Sequence, residues 1–491
     1  MKQRLADVFM KPSMSNRPKP DSERHRELSR VLMVSAHVLS LSVSVLVILG
    51  GCSVPARTVS EPVSLPDAFS MEGTASVQDR WWETFGDDGL IAVIDTALMN
   101  NFDVKAAWER LQAARAVMDR EASLLWPSIE AAGTAESVQT DDENVRAGES
   151  ARLNLAASYE IDLWGRIRSG VEAERLRAEA TVADYQTAVL SLSAEITRVW
   201  VQIAEAQEQI SVVNQQVETN TAVLQLIENR FALGLVRAVD ILRQRQLVER
   251  TREQRVIAES RLGVLEHQLA VLLGRPPQTE LALRPSGLPD LPPLPDPGVP
   301  VDLIQRRPDV QQAFLQLRAA DQDVASAISN QFPRFSLSVS TASASGGGQQ
   351  LFRDWATTLA GNVLAPIFLG GERKAEVDRT EAVRQERLYL YGQTVLLALQ
   401  DVEDALVLED RQLARIGLLE VQLQLADQTF EQLRIQYLNG TNNYLDVLTA
   451  LDDVQVLRRD LLAARLTLVD HRIALYRALA GSVQDLTKIE S

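Results

Sequence analysis

The stretch VADYQTAVLSLSAEITRVWVQIAEAQEQISVVNQQV, residues 182–217, decides the fold. Its apolar residues stand at Val182, Tyr185, Val189, Leu192, Ile196, Val199, Ile203, Ala206, Ile210, Val213 and Val217, alternately three and four apart. A helix turns once per about 3.6 residues, so a seam of period about 3.5 stays on one face only if helices wind around one another left-handedly. No glycine or proline interrupts Val171 to Leu233, and the seam resumes at Leu224, Ile227 and Phe231 after a polar break at Asn220. The spacing predicts one helix from about Arg166 to Leu233, roughly 100 Å long at about 1.5 Å per residue.

A second seam runs through Leu388, Tyr391, Val395, Val402, Ile416, Leu419, Leu423, Phe430 and Leu433, lapsing at Glu409 and Gln412. Such a lapse means either local solvation or contact with another segment. The two seams belong to a repeat. A shift of 206 residues carries Ala107, Trp108 and Leu111 onto Ala313, Phe314 and Leu317, and Trp126-Pro127 onto Phe332-Pro333. The same shift carries Leu163 and Gly165 onto Leu369 and Gly371, and Phe231, Gly234 and Asp240 onto Tyr437, Gly440 and Asp446. One offset held over more than a hundred residues marks a duplicated unit. Between the copies, residues 276–300 contain nine prolines, which forbids helix. Shorter helices are expected at about 238–273 and 444–480, with 104–125 and 310–330 completing the coiled coil above them.

Four segments change to a period of two. Leu153, Leu155, Ala157, Tyr159, Ile161 and Leu163 alternate with polar or small residues, as do Phe335, Leu337, Val339 and Thr341. Weaker partners lie at about 128–139 and 355–368. Ten to fourteen residues is the length of a membrane-crossing strand with one lipid face and one wet face. Trp126, Trp164, Phe332 and Phe368 sit at the strand–helix junctions and Phe352 and Trp355 at the far ends, as two aromatic girdles would. The loops at 140–149 and 345–353 would then face outward. Spanning strands must close, because an open edge in hydrocarbon leaves amides unsatisfied. The smallest closed membrane barrels have eight strands, so four per chain require more than one chain, and three copies give twelve.

The first 52 residues read as a targeting segment. Residues 1–30 hold eight Lys/Arg against four Asp/Glu; Val31 to Leu49 carries no charge; Leu49-Gly50-Gly51-Cys52 follows. That order describes a secretory signal ending in a lipobox, with Cys52 acylated. The 491-residue chain has a net charge of −16, which argues against a nucleic-acid partner. Cys52 is the only cysteine, so neither an internal disulfide nor a thiolate metal cluster is available. His267 and His471 stand alone on helices and read as structural. No nucleophile elbow or phosphate-binding glycine loop occurs, and no cofactor is implied.

Taken together, the duplication, the paired strands, Trp81-Trp82 with Phe85, Asn101-Phe102-Asp103-Val104 and Asp162-Leu163-Trp164-Gly165-Arg166 resemble the outer-membrane efflux proteins of the TolC/OprM type, in the lipid-anchored branch. The resemblance implies an α+β, mostly α chain. Three copies would share a twelve-stranded barrel in the outer membrane above an α-helical tunnel in the periplasm. It implies a passive export duct of a tripartite pump, with a periplasmic adaptor, an inner-membrane transporter of the RND type, and no catalysis. A type I secretion channel and a coiled-coil spacer lipoprotein are the alternatives; the spacer leaves the duplicated strands unexplained. The organisation expected is a signal at 1–51, a tether at 52–80, a first repeat at 81–274, a linker at 275–300, a second repeat at 301–481 and a tail at 482–491. Arg230, Gly234, Gly440 and Asn442 mark the two tips expected to dock the adaptor. Leu445 and Asp446 are expected to narrow a gate, with three Asp446 carboxylates in a ring. Tyr437 and Asp240 match the family's lock between neighbouring hairpins. Asn442 and Thr449 replace the arginine and second acid of some relatives, so the lock is expected to rest on hydrogen bonds.

Overall fold

A 3-10 turn at Trp81–Phe85 leads into α1 (Asp88–Asn100) and α2 (Phe102–Ala122). Strands β1 (Ser128–Val138) and β2 (Gly148–Ile161) follow, then α3 (Arg166–Ala232) and α4 (Ala238–Leu272). A short α5 (Pro300–Arg306) precedes α6 (Pro308–Ser329), β3 (Arg334–Ser345), β4 (Ala356–Leu364), α7 (Glu372–Leu438) and α8 (Tyr444–Leu479). This is a computed structural model, and it describes residues 63–139, 148–280, 284–345 and 352–479. Cys52, the targeting segment, most of both outward loops and the 482–491 tail lie outside the described residues.

The two longest helices, α3 and α7, have 67 residues each. Helix α1 has no place in the sequence-based scheme, which expected the helical series to begin near residue 104. Its N-cap Asp87 accepts from the Leu90 amide at 3.0 Å and from the Trp200 indole at 2.8 Å. The α1 residues Leu90, Ile94 and Ala97 pack with Trp81, Trp82, Val199 and Ile203 in the largest buried cluster. Trp81 lies flat on Tyr476 of α8, ring centroids 5.5 Å apart.

The strands form one antiparallel sheet in the order β1-β2-β3-β4. Ser128 stands opposite Ser158; 206 residues further on, Arg334 stands opposite Leu364, so the two hairpins have the same register. Side chains of a strand alternate between faces. One face carries the row Ile129, Ala157, Val339, Leu359 and the other the row Glu130, Ala156, Ser340, Thr358. The sheet is therefore apolar on one side and polar on the other. β4 stops at Leu364, short of the expected 368, because Pro366 has no amide to donate to a ladder. β2, expected at about 151–163, starts at Gly148 and ends at Ile161, where Asp162 turns away to cap α3.

That turn is built by a short motif. Asp162 accepts from the amides of Ile167 and Arg168 at 3.2 and 2.9 Å, satisfying donors that a helix start leaves free. Arg166 grips Glu160 through both carboxylate oxygens, at 2.9 and 3.0 Å. Trp164 stacks on Phe332 at 4.9 Å and donates its indole N–H to the Pro333 carbonyl at 2.8 Å. The β2 and β3 junctions are thus fastened to each other. Below them α6 packs between α3 and α7, and α2 packs on α3.

The polar breaks in both seams are buried contacts. Glu409 of α7 and Arg472 of α8 are each about 4% exposed and pair through two nitrogens and both carboxylate oxygens. Arg472 also donates to the carbonyls of Pro292 and Pro293 in the proline-rich linker. Gln412 donates to the Ala464 carbonyl at 2.7 Å. The second of the two meanings of the lapse therefore holds. Asn220 is fully buried and bonds to Thr251 of α4 and Gln455 of α8. The linker itself pairs with the segment before Trp81: Asp296 donates to the Ala75 carbonyl at 2.7 Å, and Thr74 to the Leu294 carbonyl at 3.0 Å.

Candidate functional site

The helical ends farthest along the chain from the strands are two turns of one design. In the first, the Leu235 amide donates to the Arg230 carbonyl at 2.9 Å, five residues back, and Gly234 donates to Phe231 at 2.8 Å. In the second, Thr441 donates to Gln436 at 3.0 Å and Gly440 to Tyr437 at 3.0 Å. This pair of hydrogen bonds at a helix C-terminus needs a left-handed residue, and Gly234 and Gly440 have φ of 71° and 76°. A side chain at either position meets no neighbour, so the requirement is conformational and not steric.

One buried cluster joins the tips: Ile227 of α3, Tyr437 of α7, and Tyr444 and Val447 of α8, with Val236 and Ile241 against them. The Arg230 guanidinium lies 4.9 Å from the centre of the Tyr437 ring, and that ring tilts against Tyr444 at 5.5 Å. The Tyr437 hydroxyl is buried without a hydrogen-bond partner. Burial pushes its pKa up, the Arg230 charge opposes this, and Asp240 adds to it. Within the chain the Tyr437 hydroxyl and Asp240 make no direct hydrogen bond. Asp240 is buried and accepts from the Arg237 backbone amide at 3.2 Å and from its guanidinium at 3.3 Å. The hydrogen bond between the hairpins here is instead made by the Tyr444 hydroxyl and Gln244.

Asp446 sits in the first turn of α8. Its backbone amide donates to the Asn443 side chain at 3.2 Å, and its carboxylate accepts from the Asn443 amide group at 3.0 Å. Asn443 is thus the cap of α8 and Asp446 the acid that answers it. Asn442 accepts from the Asn443 backbone at 2.8 Å, and Leu445 is exposed. Sequence reasoning missed Asn443, Tyr444 and Gln244. Asn443 had a signal, an asparagine at a helix start with an acid three residues on. Gln244 had none, since nothing local says which helix faces it.

Farther from the tips, α3, α4 and α8 enclose charged groups. Arg261 pairs with the buried Glu205 at 2.9 Å, and Gln268 donates to Glu195 at 2.9 Å. Arg198 lies 3.1 Å from Glu195 and 3.9 Å from Asp470. Burial pushes the Asp470 carboxyl up to about 6 against the pull of Arg198 and Arg261, with Glu195 and Glu205 reinforcing the rise. Among the described residues no group of three or more His, Cys, Asp or Glu is placed to hold a metal ion. No described helix is long and apolar enough to cross a membrane.

An amphipathic four-stranded sheet set on paired coiled-coil hairpins defines a class of outer-membrane conduits. The sequence model of the outer membrane efflux protein family matches residues 93–275 and again residues 299–481, and the chain belongs to that family. It is 28% identical over 459 residues to the pyoverdine export outer membrane protein OpmQ of Pseudomonas aeruginosa, covering 90% of this chain and 96% of the relative. It is 26% identical over 466 residues to the solvent efflux pump outer membrane protein SrpC of Pseudomonas putida, covering 90% and 98%. Its structure is similar to that of the outer-membrane channel OprN, with a TM-score of 0.81 at 28% identity, over 87% of this chain and 98% of that one. CusC follows at 0.78 and 25% identity, over 88% and 100%.

Proposed function

We propose that this protein is the outer-membrane duct of a tripartite export pump, conducting small molecules passively from an inner-membrane transporter and its periplasmic adaptor to the outside. The observation that carries this reading is the sheet: one face apolar, one face polar, both outer strands unpaired, on the same chain as two helical hairpins with matched tips. Such a sheet is stable in hydrocarbon only when closed, so three copies sharing a twelve-stranded barrel is the assembly we infer. Exposed leucines support it. Leu390, Leu397, Leu418 and Leu425 of α7 lie at multiples of seven and are 47–66% exposed, a stripe suited to another copy. The equal hairpin registers and the two family matches support an internal duplication, with repeats at 81–274 and 301–481 around the linker at 275–300.

In this reading Cys52 carries the lipid anchor, and 52–80 is the tether that follows it. Arg230, Gly234, Gly440 and Asn442 form the surface that meets the adaptor. Leu445 and Asp446 narrow the mouth between the hairpins, and three Asp446 carboxylates favour cations there. Relatives whose names specify pyoverdine, solvent and toluene each align over 90% of this chain, which fits a wall of low selectivity, with cargo chosen by the transporter, of RND type in our reading. The test is reconstitution into planar bilayers together with gene deletion. Stepwise conductance and drug hypersensitivity on deletion are expected. Protein that inserts without conductance, with wild-type drug tolerance on deletion, would overturn the reading.

A further inference from the structure

Resting on the shared-barrel reading, we propose that β4 of one protomer pairs antiparallel with β1 of a second copy in a single register, Asn362 opposite Thr134 of the partner subunit. At the foot of this seam Trp126 of the partner subunit covers Gly370 beside Phe368. The argument starts from two facts about the chain by itself. Its two hairpins have the same register at the 206-residue offset. The joint between them pairs β2 with β3, with Ala156 opposite Ser340. Moving Ala156 forward by the offset gives Asn362; moving Ser340 back gives Thr134.

In a closed barrel strand tilt is tied to the total stagger around the ring. Like hairpins joined by like joints spread that stagger evenly over all the strands. The register also keeps the faces intact. Asn362 and Thr134 both lie on the polar side, and Val363 and Gly133 on the apolar side. A slip of one residue would turn every β1 side chain over. The outer strands are open for such a partner. Ile129, Leu359 and Val363 are 64–75% exposed, whereas Leu155, Leu337 and Val339 on the inner strands are 43–47% exposed.

The junction below gives a second, independent fit. Inside the chain Trp164 stacks on Phe332 where β2 and β3 meet the helices. The counterpart of Phe332 is Trp126, which is 76% exposed, and the counterpart of Trp164 is Gly370. Two residues before that glycine Phe368 is 88% exposed. The larger ring has moved to the first repeat and the space to receive it to the second, so the pair is complementary between copies as it is within one.

Cysteine pairs in the full-length protein test this, since Cys52 is the only natural cysteine. Asn362→Cys with Thr134→Cys should give covalent oligomers on oxidation, several-fold more than Asn362→Cys with Ala132→Cys or with Glu136→Cys, which report slips of two residues. Ala156→Cys with Ser340→Cys, the matching pair within one chain, should crosslink without changing oligomer size. A heat-labile oligomer in which a slipped pair crosslinks as well or better overturns the register and leaves the shared barrel standing. Absence of both a heat-labile oligomer and any crosslink between chains overturns both.

Discussion

Asn220 of α3 and Gln455 of α8 exchange hydrogen bonds head to head: Asn220 Nδ2 donates to Gln455 Oε1 at 3.1 Å, and Gln455 Nε2 donates to Asn220 Oδ1 at 2.9 Å. The pair ties the first hairpin to the second at the polar break in the α3 seam. Asn220→Leu should leave the Gln455 amide buried and unmet, at about 1–3 kcal/mol. Adding Gln455→Leu should recover much of that loss. Gln244 and Gln216 donate to the backbone carbonyls of Asn220 and Gln455, and those carbonyls survive the change. Thermal melting of the detergent-solubilised protein checks both steps; a double variant no more stable than the single would contradict the account.

Asp446 answers the cap of α8, and this role can be separated from the one proposed for it in the ring. Asn443→Ala and Asp446→Ala should each weaken the start of α8 by about 1 kcal/mol, because each breaks the same cap. Only Asp446→Ala removes a charge from the proposed ring. Reversal potentials across a salt gradient should therefore shift for Asp446→Ala and stay at the parent value for Asn443→Ala. Equal shifts would place the selectivity elsewhere.

Tyr444, and not Tyr437, should hold the tips closed. Tyr437→Phe removes a hydroxyl that bonds to nothing, so closed-state conductance should not change. Tyr444→Phe breaks the link to Gln244, worth about 1 kcal/mol, and should raise closed-state conductance. Single-channel recordings that find the reverse order would refute this.

Asp470 should make the helical region less stable as pH rises. Its carboxyl is raised from 3.8 to about 6, so between those values the folded state holds a proton that the unfolded state has lost. Stability present below that window is lost through it, bounded at about 3 kcal/mol by the shift. Asp470→Asn should melt higher than the parent at pH 7.5, and the difference should shrink toward zero near pH 4. A difference that stays constant with pH would show that the carboxyl titrates normally.

Helix length and strand pairing were legible because both are periodic. The α3 seam announces itself in its own residues, and the two hairpins announce each other through the 206-residue offset. What stayed hidden depended on partners distant in sequence. Glu409 and Gln412 looked like faults in a seam until Arg472 and the Ala464 carbonyl supplied their complements. Asp240 was expected to bond Tyr437, but Arg237, three residues before it, reaches it first. Helix α1 was passed over although its residues bury well, because thirteen residues give a short periodic signal.

The linker carbonyls that Arg472 holds belong to prolines, which can accept hydrogen bonds but never donate them. At those two residues the strap is chemically one-handed. Whatever fastens it there must bring its own hydrogens, and this fastening lies beside a carboxylate that must be answered as well. A guanidinium has five N–H groups in a fixed fork and can satisfy Glu409 and the strap together. A lysine has three on one point and would have to choose. The belt around the helices is therefore buckled by the geometry of one side chain, and a change that keeps its charge would still undo it.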